Sequence, residues 1–97
     1  MKFDERMWTS VREYYLDILK KIFHETLLKA RAENGLTQAK MAEILAMDER
    51  SYVYLEHGKT CCGALTLSLF LIYCCNDAGG FLDELRKAYE KGFDSVA

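Results

Sequence analysis

The first third of the chain, residues 3–33, contains neither glycine nor proline, and its apolar residues recur every three or four positions. This spacing is typical of an amphipathic α-helix. The apolar residues form two adjacent rows, Val11, Tyr15, Ile18 and Ile22 in one and Leu16, Leu19, Phe23, Leu27 and Ala30 in the other. The pattern predicts a long helix from Phe3 to Glu33 that ends at Asn34-Gly35, with a break within residues 22–25 left open.

The middle of the chain predicts two short helices separated by a tight turn. Thr37 is expected to be the N-cap of a helix from Gln38 to Leu45. Asp48 is expected to be the N-cap of a second helix, from Glu49 to about His57. The three to four residues between the two helices are typical of a helix-turn-helix.

Two further helices are expected in the last third of the chain. Residues 64–75 predict a helix, although the alternation of leucine with threonine and serine at 65–69 also fits a strand. The helix is preferred because every neighbouring segment is helical and no partner strand is present. Gly79-Gly80 predicts a break, followed by a last amphipathic helix from Phe81 to about Gly92. The predicted fold class is all-α, with five helices, or six if the first one breaks.

Length, composition and charge restrict the class of protein. A chain of 97 residues with 51% hydrophobic and 29% charged residues is expected to form a single globular domain. Its net charge of −2 excludes a polybasic protein that binds nucleic acid through bulk charge. Residues 1–10 lack the apolar region of a signal peptide, and the longest uncharged run, residues 60–76, is shorter than the about 20 residues of a membrane span. We therefore expect a cytoplasmic protein that does not contact membranes.

The cysteines and histidines form no pattern typical of catalysis or metal binding. The four cysteines are two adjacent pairs, at 61–62 and 74–75, which do not match the C-x2-C spacing of zinc sites. They are expected to be reduced and to act as small apolar residues. His24 and His57 lack a spaced set of acidic or cysteine partners, and no glycine-rich phosphate loop is present. We expect no enzymatic activity, cofactor, metal ion or small-molecule ligand.

Several spaced residues around the two short helices match a known pattern together. They are Leu27, Arg31, Gly35, Leu36, Thr37, Gln38, Met41, Ala42, Leu45, Met47, Leu55, Glu56, Gly58 and Lys59. On these residues the chain resembles the helix-turn-helix domain of the phage repressor/Cro (XRE-like) family, and small bacterial members in particular. The resemblance implies a lambda-repressor-like core at residues 23–76, with a helical extension at residues 1–22 and a C-terminal helix at residues 77–97.

The resemblance implies a sequence-specific DNA-binding transcriptional regulator whose second short helix reads the major groove. The residues expected at double-stranded DNA are Thr37, Gln38, Lys40, Glu49, Arg50, Val53, Tyr54 and Lys59. The Gln38 amide would lie near a phosphate or a base edge, and Arg50 would bridge to guanine or phosphate. Tyr54 would contact a thymine methyl group or a phosphate, and Lys40 and Lys59 would contact the backbone.

The resemblance also implies an ion pair between Arg31 and Glu56 that ties the first helix to the recognition helix. Tyr52 occupies a position that is usually Val or Ile in this family, so its ring needs space and its hydroxyl needs a partner. The family often has an Arg and a Glu at the positions of the pair, and losing one partner would leave an uncompensated charge.

Two carboxylates at the start of the recognition helix depart from the family pattern. Asp48 is explained as an N-cap, whereas Glu49 either accepts a hydrogen bond from cytosine or stabilises the first helical turn. Residues 22–60 contain five basic and six acidic side chains, which is a poor balance for binding phosphates. The alternatives are a protein-interaction module, such as an antitoxin or accessory subunit, and a helix-turn-helix relic that binds nothing tightly.

Large apolar residues exceed what three short helices can cover. The surplus consists of Trp8, Tyr14, Tyr15, Phe23, Phe70, Ile72 and Tyr73. Core packing accounts for most of them. The remainder predicts a homodimer formed through the first segment and the last two helices, because operator half-sites usually require a dimer.

Overall fold

The chain folds into five α-helices over the residues that the computed structural model describes, which are 5–96 for the backbone and 8–91 for the side chains. The helices are α1 (Glu5–Asn34), α2 (Gln38–Ile44), α3 (Glu49–Glu56), α4 (Ala64–Tyr73) and α5 (Ala78–Val96). No strand occurs in this part of the chain, and residues 65–69 lie within α4. The predicted all-α fold class is confirmed.

Helix α1 is continuous over 30 residues, without a break at residues 22–25. Its predicted first residue, Phe3, lies outside the described residues. Gly35 follows the helix with a φ of 62°, in the left-handed region, and the amide of Leu36 donates to the carbonyl oxygen of Arg31 at 3.1 Å. This arrangement is a Schellman-type C-cap, as the Asn34-Gly35 pair indicated.

The helix-turn-helix consists of α2, α3 and the turn between them. Thr37 caps α2 through its hydroxyl, which accepts a hydrogen bond from the amide of Lys40 at 3.1 Å. Leu45 and His57, the predicted last residues of the two helices, are instead their C-caps. In the turn, Ala46 takes a φ of 56°, and the amide of Met47 donates to the carbonyl oxygen of Ala42 at 3.0 Å.

Both helices of the last third differ from their predicted bounds. Helix α4 ends at Tyr73 instead of Cys75, because Cys74 is its C-cap. The predicted break at Gly79-Gly80 is wrong, since both glycines lie in the first turn of α5. The Asp77 carboxylate accepts a hydrogen bond from the amide of Gly80 at 2.9 Å. A Cβ atom at Gly80 would overlap that carboxylate, so the glycine makes room for the cap.

The end of α5 also differs from the prediction. The helix continues past Gly92, its predicted end, to Val96. A glycine inside a helix costs only about 1 kcal/mol relative to alanine, so it does not end a helix by itself.

The buried side chains of α1, α4 and α5 meet at three phenylalanines. The ring centroid of Phe23 lies 5.1 Å from that of Phe70 and 6.2 Å from that of Phe81. Near the other end of α5, Tyr89 packs edge-on against Tyr15 with centroids 4.9 Å apart. These contacts show that α5 runs antiparallel to α1, and the C-terminal half of α1 also holds α3 through His24 and Arg31.

The remaining core residues connect the helix-turn-helix to α1. The buried side chains here are Leu27, Met41, Ala42, Leu45, Tyr52 and Leu55. They come from α1, α2 and α3 and from the C-cap of α2. The orientation of α3 is therefore set by packing against both α1 and α2.

Candidate nucleic-acid interface

Helix α3 divides into an inner and an outer face. Tyr52, Leu55 and Glu56 are buried, with 0%, 4% and 2% of their surface exposed. Arg50 and Tyr54 are exposed. The split follows from the 100° rotation per residue of an α-helix, which places positions 52, 55 and 56 on one side.

Two more residues of α3 were expected at the DNA. Glu49 is exposed in its first turn, whereas Val53 is half-buried. Glu49 therefore presents a carboxylate at the end of the helix that would enter a groove, and only part of the Val53 side chain is available for a contact.

The buried carboxylate of Glu56 collects hydrogen bonds from three side chains. Arg31 donates from Nε to Oε2 and from Nη2 to Oε1, both at 2.9 Å. The Tyr52 hydroxyl donates to Oε2, and the Gln38 amide donates to Oε1 at 3.3 Å. Burial raises the pKa of Glu56, but the hydrogen bonds from Arg31, Tyr52 and Gln38 outweigh it and hold the pKa below its usual value. Glu56 is therefore ionised at neutral pH.

The same network accounts for Tyr52 and Gln38. The Tyr52 ring is fully buried, and burial together with the hydrogen bond to Glu56 raises the pKa of its hydroxyl well above the usual value. The amide nitrogen of Gln38 points at Glu56, so this donor is engaged inside the protein and not at the surface expected to meet DNA.

The backbone of Glu56 is also held by α1. His24 Nδ1 donates a hydrogen bond to the Glu56 carbonyl oxygen at 3.2 Å. Gly58 follows with a φ of 74°, and a Cβ atom there would lie 3.2 Å from the His24 ring. The C-terminal end of α3 is thus anchored to α1 at a carbonyl group as well as at a carboxylate. Nothing in the spacing of His24 indicated this role.

Three exposed residues form an outer cluster on the opposite face: Arg50, Tyr54 and Lys59. Arg50 Nε donates to the Tyr54 hydroxyl at 3.2 Å, and its guanidinium carbon lies 5.7 Å from the Tyr54 ring centroid. The ammonium group of Lys59 also lies 5.7 Å from that centroid. Both distances are within the range of cation–π attraction. Tyr54 therefore gathers two positive charges at one point on the surface.

The backbone fixes Lys59 beside this ring, although Lys59 lies beyond the end of α3. Its amide donates to the carbonyl oxygen of Tyr54 at 2.9 Å. Arg50, Tyr54 and Lys59, for which the sequence suggested separate DNA contacts, thus lie together in one cluster. The i,i+4 spacing of Arg50 and Tyr54 was visible in the sequence, but the return of Lys59 depends on the turn at Gly58.

Asp48 acts as the N-cap of α3. Its carboxylate accepts hydrogen bonds from the Ser51 hydroxyl at 2.6 Å and from the Ser51 amide at 3.1 Å. These two bonds hold the pKa of Asp48 below its usual value. Its negative charge is thus directed to the first turn of the helix.

The remaining candidates on α2 are less available to DNA. Lys40 Nζ lies 3.4 Å from the Glu43 carboxylate, one turn along the same exposed surface. This contact reduces the positive charge that Lys40 can offer to a phosphate. The Thr37 side chain serves as the cap of α2.

Among the residues with described side chains, no three His, Cys, Asp or Glu residues are grouped so that they could hold a metal ion. No described helix combines the length and the apolar character needed to cross a lipid bilayer.

Comparison of the chain with protein-family models, with curated proteins and with solved structures returned no match.

Proposed function

We propose that the protein is a sequence-specific DNA-binding transcriptional regulator that inserts α3 into the major groove. The observation that carries this proposal is the outer cluster of Arg50, Tyr54 and Lys59, on the exposed face of a helix whose other face is held rigidly. A major groove about 12 Å wide accepts an α-helix. The cluster supplies the two kinds of contact that recognition needs, to a base edge and to a phosphate.

The three residues of the cluster have different roles in this proposal. Arg50 donates two hydrogen bonds to a guanine edge, which carries specificity. Lys59, just beyond the helix, neutralises a phosphate and contributes affinity without reading sequence. Tyr54 holds both cations near its ring and presents its hydroxyl beside them.

The acidic start of α3 restricts which DNA can bind. Asp48 is used as a cap and its carboxylate is paired with Ser51. Glu49 is exposed and accepts a hydrogen bond from cytosine N4 in a matching site, but repels phosphates elsewhere. The protein acts as a homodimer, because binding to two half-sites gives more specificity than one short helix provides. It does so in the cytoplasm of a bacterial cell.

A second candidate is a protein-interaction module on the same fold. Two observations favour it: the carboxylates of Asp48 and Glu49 at the start of α3, and the exposure of Leu65, Ile72 and Tyr73 on α4. In that case the carboxylates at the start of α3 would meet a basic protein surface and the exposed face of α4 an apolar one, and no DNA sequence would be enriched by the protein.

The two functions are separated by selecting DNA from a random library with the purified protein. Binding to the enriched site is then measured by fluorescence anisotropy at two salt concentrations. Arg50→Ala is expected to weaken specific binding by about 1–3 kcal/mol and to relax the preference at one base pair. Lys59→Ala is expected to weaken binding to all sequences and to lower the salt slope by about one.

Arg86→Ala is the matched control, because it removes an exposed positive charge from α5, away from α3. It is expected to leave both affinity and salt slope unchanged. If selection enriches no sequence, or if the variants at Arg50 and Lys59 behave like the control, the protein-interaction function takes precedence. Purification of the protein with a bound partner would then identify the surface used.

A further inference from the structure

Helix α4 has an exposed apolar face that the rest of the described structure leaves uncovered. Leu65, Ile72 and Tyr73 are 66%, 69% and 69% exposed, and Leu69 is half-buried. At 100° per residue, positions 65, 69 and 72 lie within about 60° of arc, so they form one stripe. Phe70 is fully buried on the opposite side of the helix. A helix that is apolar on all sides is normally buried on all sides.

The face of α5 that carries Phe81, Leu85 and Tyr89 is already covered. Phe81 and Leu85 of α5 are buried, and Tyr89 packs against Tyr15 of α1. Leu65, Ile72 and Tyr73 of α4, by contrast, are the most exposed large apolar side chains among the described residues.

We propose that this face binds a second copy of the chain, with the two α4 helices antiparallel across a two-fold axis. An isologous contact of this kind sets Leu65 of one copy opposite Ile72 of the other, with the axis near residues 68 and 69. Ser68 beside the axis is small, so the two helices can approach closely. This dimer contact specifies how the proposed regulator would pair on DNA, and the DNA-binding experiment below rests on the proposed function.

The charges around α4 favour this occupant. No charged residue occurs from Thr60 to Asn76, so two copies can meet along the stripe without like charges facing each other. Gly63, the N-cap of α4, has no side chain with which to cap the helix, and no acidic residue lies in the first turn to balance the positive end of the helix dipole. The C-terminal end of α4 is followed by Asn76, which donates to the exposed carboxylate of Glu33 at 3.2 Å. Antiparallel pairing brings this acidic end of one copy to the positive helix end of the other.

The size of the stripe sets the strength of the contact. Its exposed side chains offer a patch comparable with the largest apolar patches on monomers, about 300–600 Å². A stable interface buries about 800 Å² per partner. Self-association in solution is therefore expected to be weak, with a dissociation constant of about 10–100 µM. DNA with two half-sites raises the effective concentration and brings the copies together.

Sedimentation velocity over a series of concentrations tests the contact. The wild-type chain is expected to shift from monomer to dimer as concentration rises, and Ile72→Glu is expected to stay monomeric. The matched control is Leu82→Glu, which places the same charge on an apolar residue of α5 that is 48% exposed. Circular dichroism and thermal unfolding check that both variants fold, since both positions face solvent.

A paired substitution tests the antiparallel orientation. Leu65→Lys alone and Ile72→Glu alone each place a charge against an apolar residue and abolish the dimer. The chain with both substitutions is expected to dimerise again, because the lysine of each copy faces the glutamate of the other. Parallel helices would instead place like charges opposite each other, so continued loss of the dimer in the double variant would overturn the proposed geometry.

DNA binding separates this inference from the proposed function. On DNA with two half-sites, Ile72→Glu is expected to lose cooperative binding, while its affinity for a single half-site stays as in the wild type. If selection enriches no DNA but Ile72→Glu still abolishes dimerisation, the proposed function fails and the inference stands. A wild-type chain that is monomeric at all concentrations and binds two half-sites without cooperativity overturns the inference, as does a dimer that Ile72→Glu leaves intact.

Discussion

Arg31 and Glu56 are joined by two hydrogen bonds, each 2.9 Å long, although the residues lie 25 positions apart in the sequence. The Glu56 carboxylate is buried, whereas 29% of the Arg31 side chain is exposed to solvent. A planar guanidinium that meets a carboxylate at two points fixes direction as well as distance. The pair therefore determines how α3 is oriented on α1.

Removing the arginine should destabilise the fold. Arg31→Met leaves the buried Glu56 carboxylate without its cation, and the free energy of unfolding is expected to fall by about 3 kcal/mol. The control is Lys29→Met, which breaks an exposed pair with Glu33 at 4.0 Å and is expected to cost less than about 1 kcal/mol. Urea unfolding measures both. Equal losses in the two variants would contradict a special role for the buried pair.

The lowered pKa of Glu56 makes the free energy of unfolding depend on pH. Hydrogen bonds lower this pKa in the folded state despite the opposing effect of burial, so the unfolded chain takes up its proton at a higher pH. The contribution of Glu56 is thus complete above the unfolded-state pKa and is lost as pH falls through the folded-state pKa.

Urea unfolding of the wild type and of Glu56→Gln between about pH 6 and pH 3 isolates this effect. The wild type is expected to lose more stability over this range than the variant, because only the wild type has the Glu56 carboxylate. Other carboxylates with a lowered pKa, including Asp48 and Asp83, titrate in both proteins and cancel in the comparison. Parallel pH profiles for the two proteins would show that the Glu56 carboxylate does not have a lowered pKa.

Tyr54 should affect DNA binding without affecting stability. Tyr54→Phe keeps the ring near Arg50 and Lys59 but loses the hydroxyl that Arg50 contacts at 3.2 Å. Tyr54→Leu also loses the ring, and with it cation–π attraction of about 0.5–1 kcal/mol for each cation. Affinity for the selected site is expected to decrease from wild type to phenylalanine to leucine, with unchanged urea midpoints. An affinity of Tyr54→Leu equal to that of the wild type would contradict the role of the outer cluster.

Gly58 should tolerate alanine less well than Gly35 does. Both have positive φ, at 74° and 62°, so alanine costs about 1 kcal/mol at either position. At Gly58 the new Cβ would also press on the His24 ring, whereas nothing lies within 4 Å of the corresponding atom at Gly35. Thermal unfolding is expected to show the larger loss for Gly58→Ala. Adding His24→Ala would remove the clash but also the hydrogen bond to Glu56, so rescue should be partial.

The thiol of Cys62 should react slowly at neutral pH. Burial raises its pKa to about 11, and the neighbouring Cys61 adds to the shift, so very little of the reactive thiolate is present. Alkylation by iodoacetamide, followed by peptide mass spectrometry, is expected to be faster for Cys62 in urea than in the folded protein at the same pH. Equal rates in the two conditions would show that burial does not protect this thiol.

The sequence predicted the helices correctly where the signal, an N-cap residue or a periodic row of apolar residues, lies within or next to the helix itself. Thr37 and Asp48 cap α2 and α3 as expected, because an N-cap and its helix lie within four residues. Gly79-Gly80 failed as a break for a related reason: the cap is Asp77, and glycines in a first turn do not stop a helix that is capped. The C-terminal ends of α2, α3 and α4 lie one or two residues before their predicted positions, whereas α5 begins three residues earlier and ends four residues later than predicted.

The site could be predicted only in part. The resemblance implied a pairing of Arg31 with Glu56, and the structure brings these side chains together. The hydrogen bonds from Gln38 and Tyr52 to the same carboxylate could not be predicted from the sequence, because they depend on how α2 and α3 cross. The position of Lys59 beside Tyr54 likewise depends on the turn at Gly58, which a linear pattern does not describe.

The two anchors on Glu56 have a mechanical consequence. Arg31 holds its side chain and His24 holds its carbonyl group, and both residues belong to α1, a continuous helix about 45 Å long. Helix α3 can neither roll about its axis nor slide along α1 without breaking one of these anchors. Helices α1 and α3 therefore move together as one rigid unit. A force applied at the far end of α1 would tilt the surface formed by Arg50 and Tyr54 as one piece.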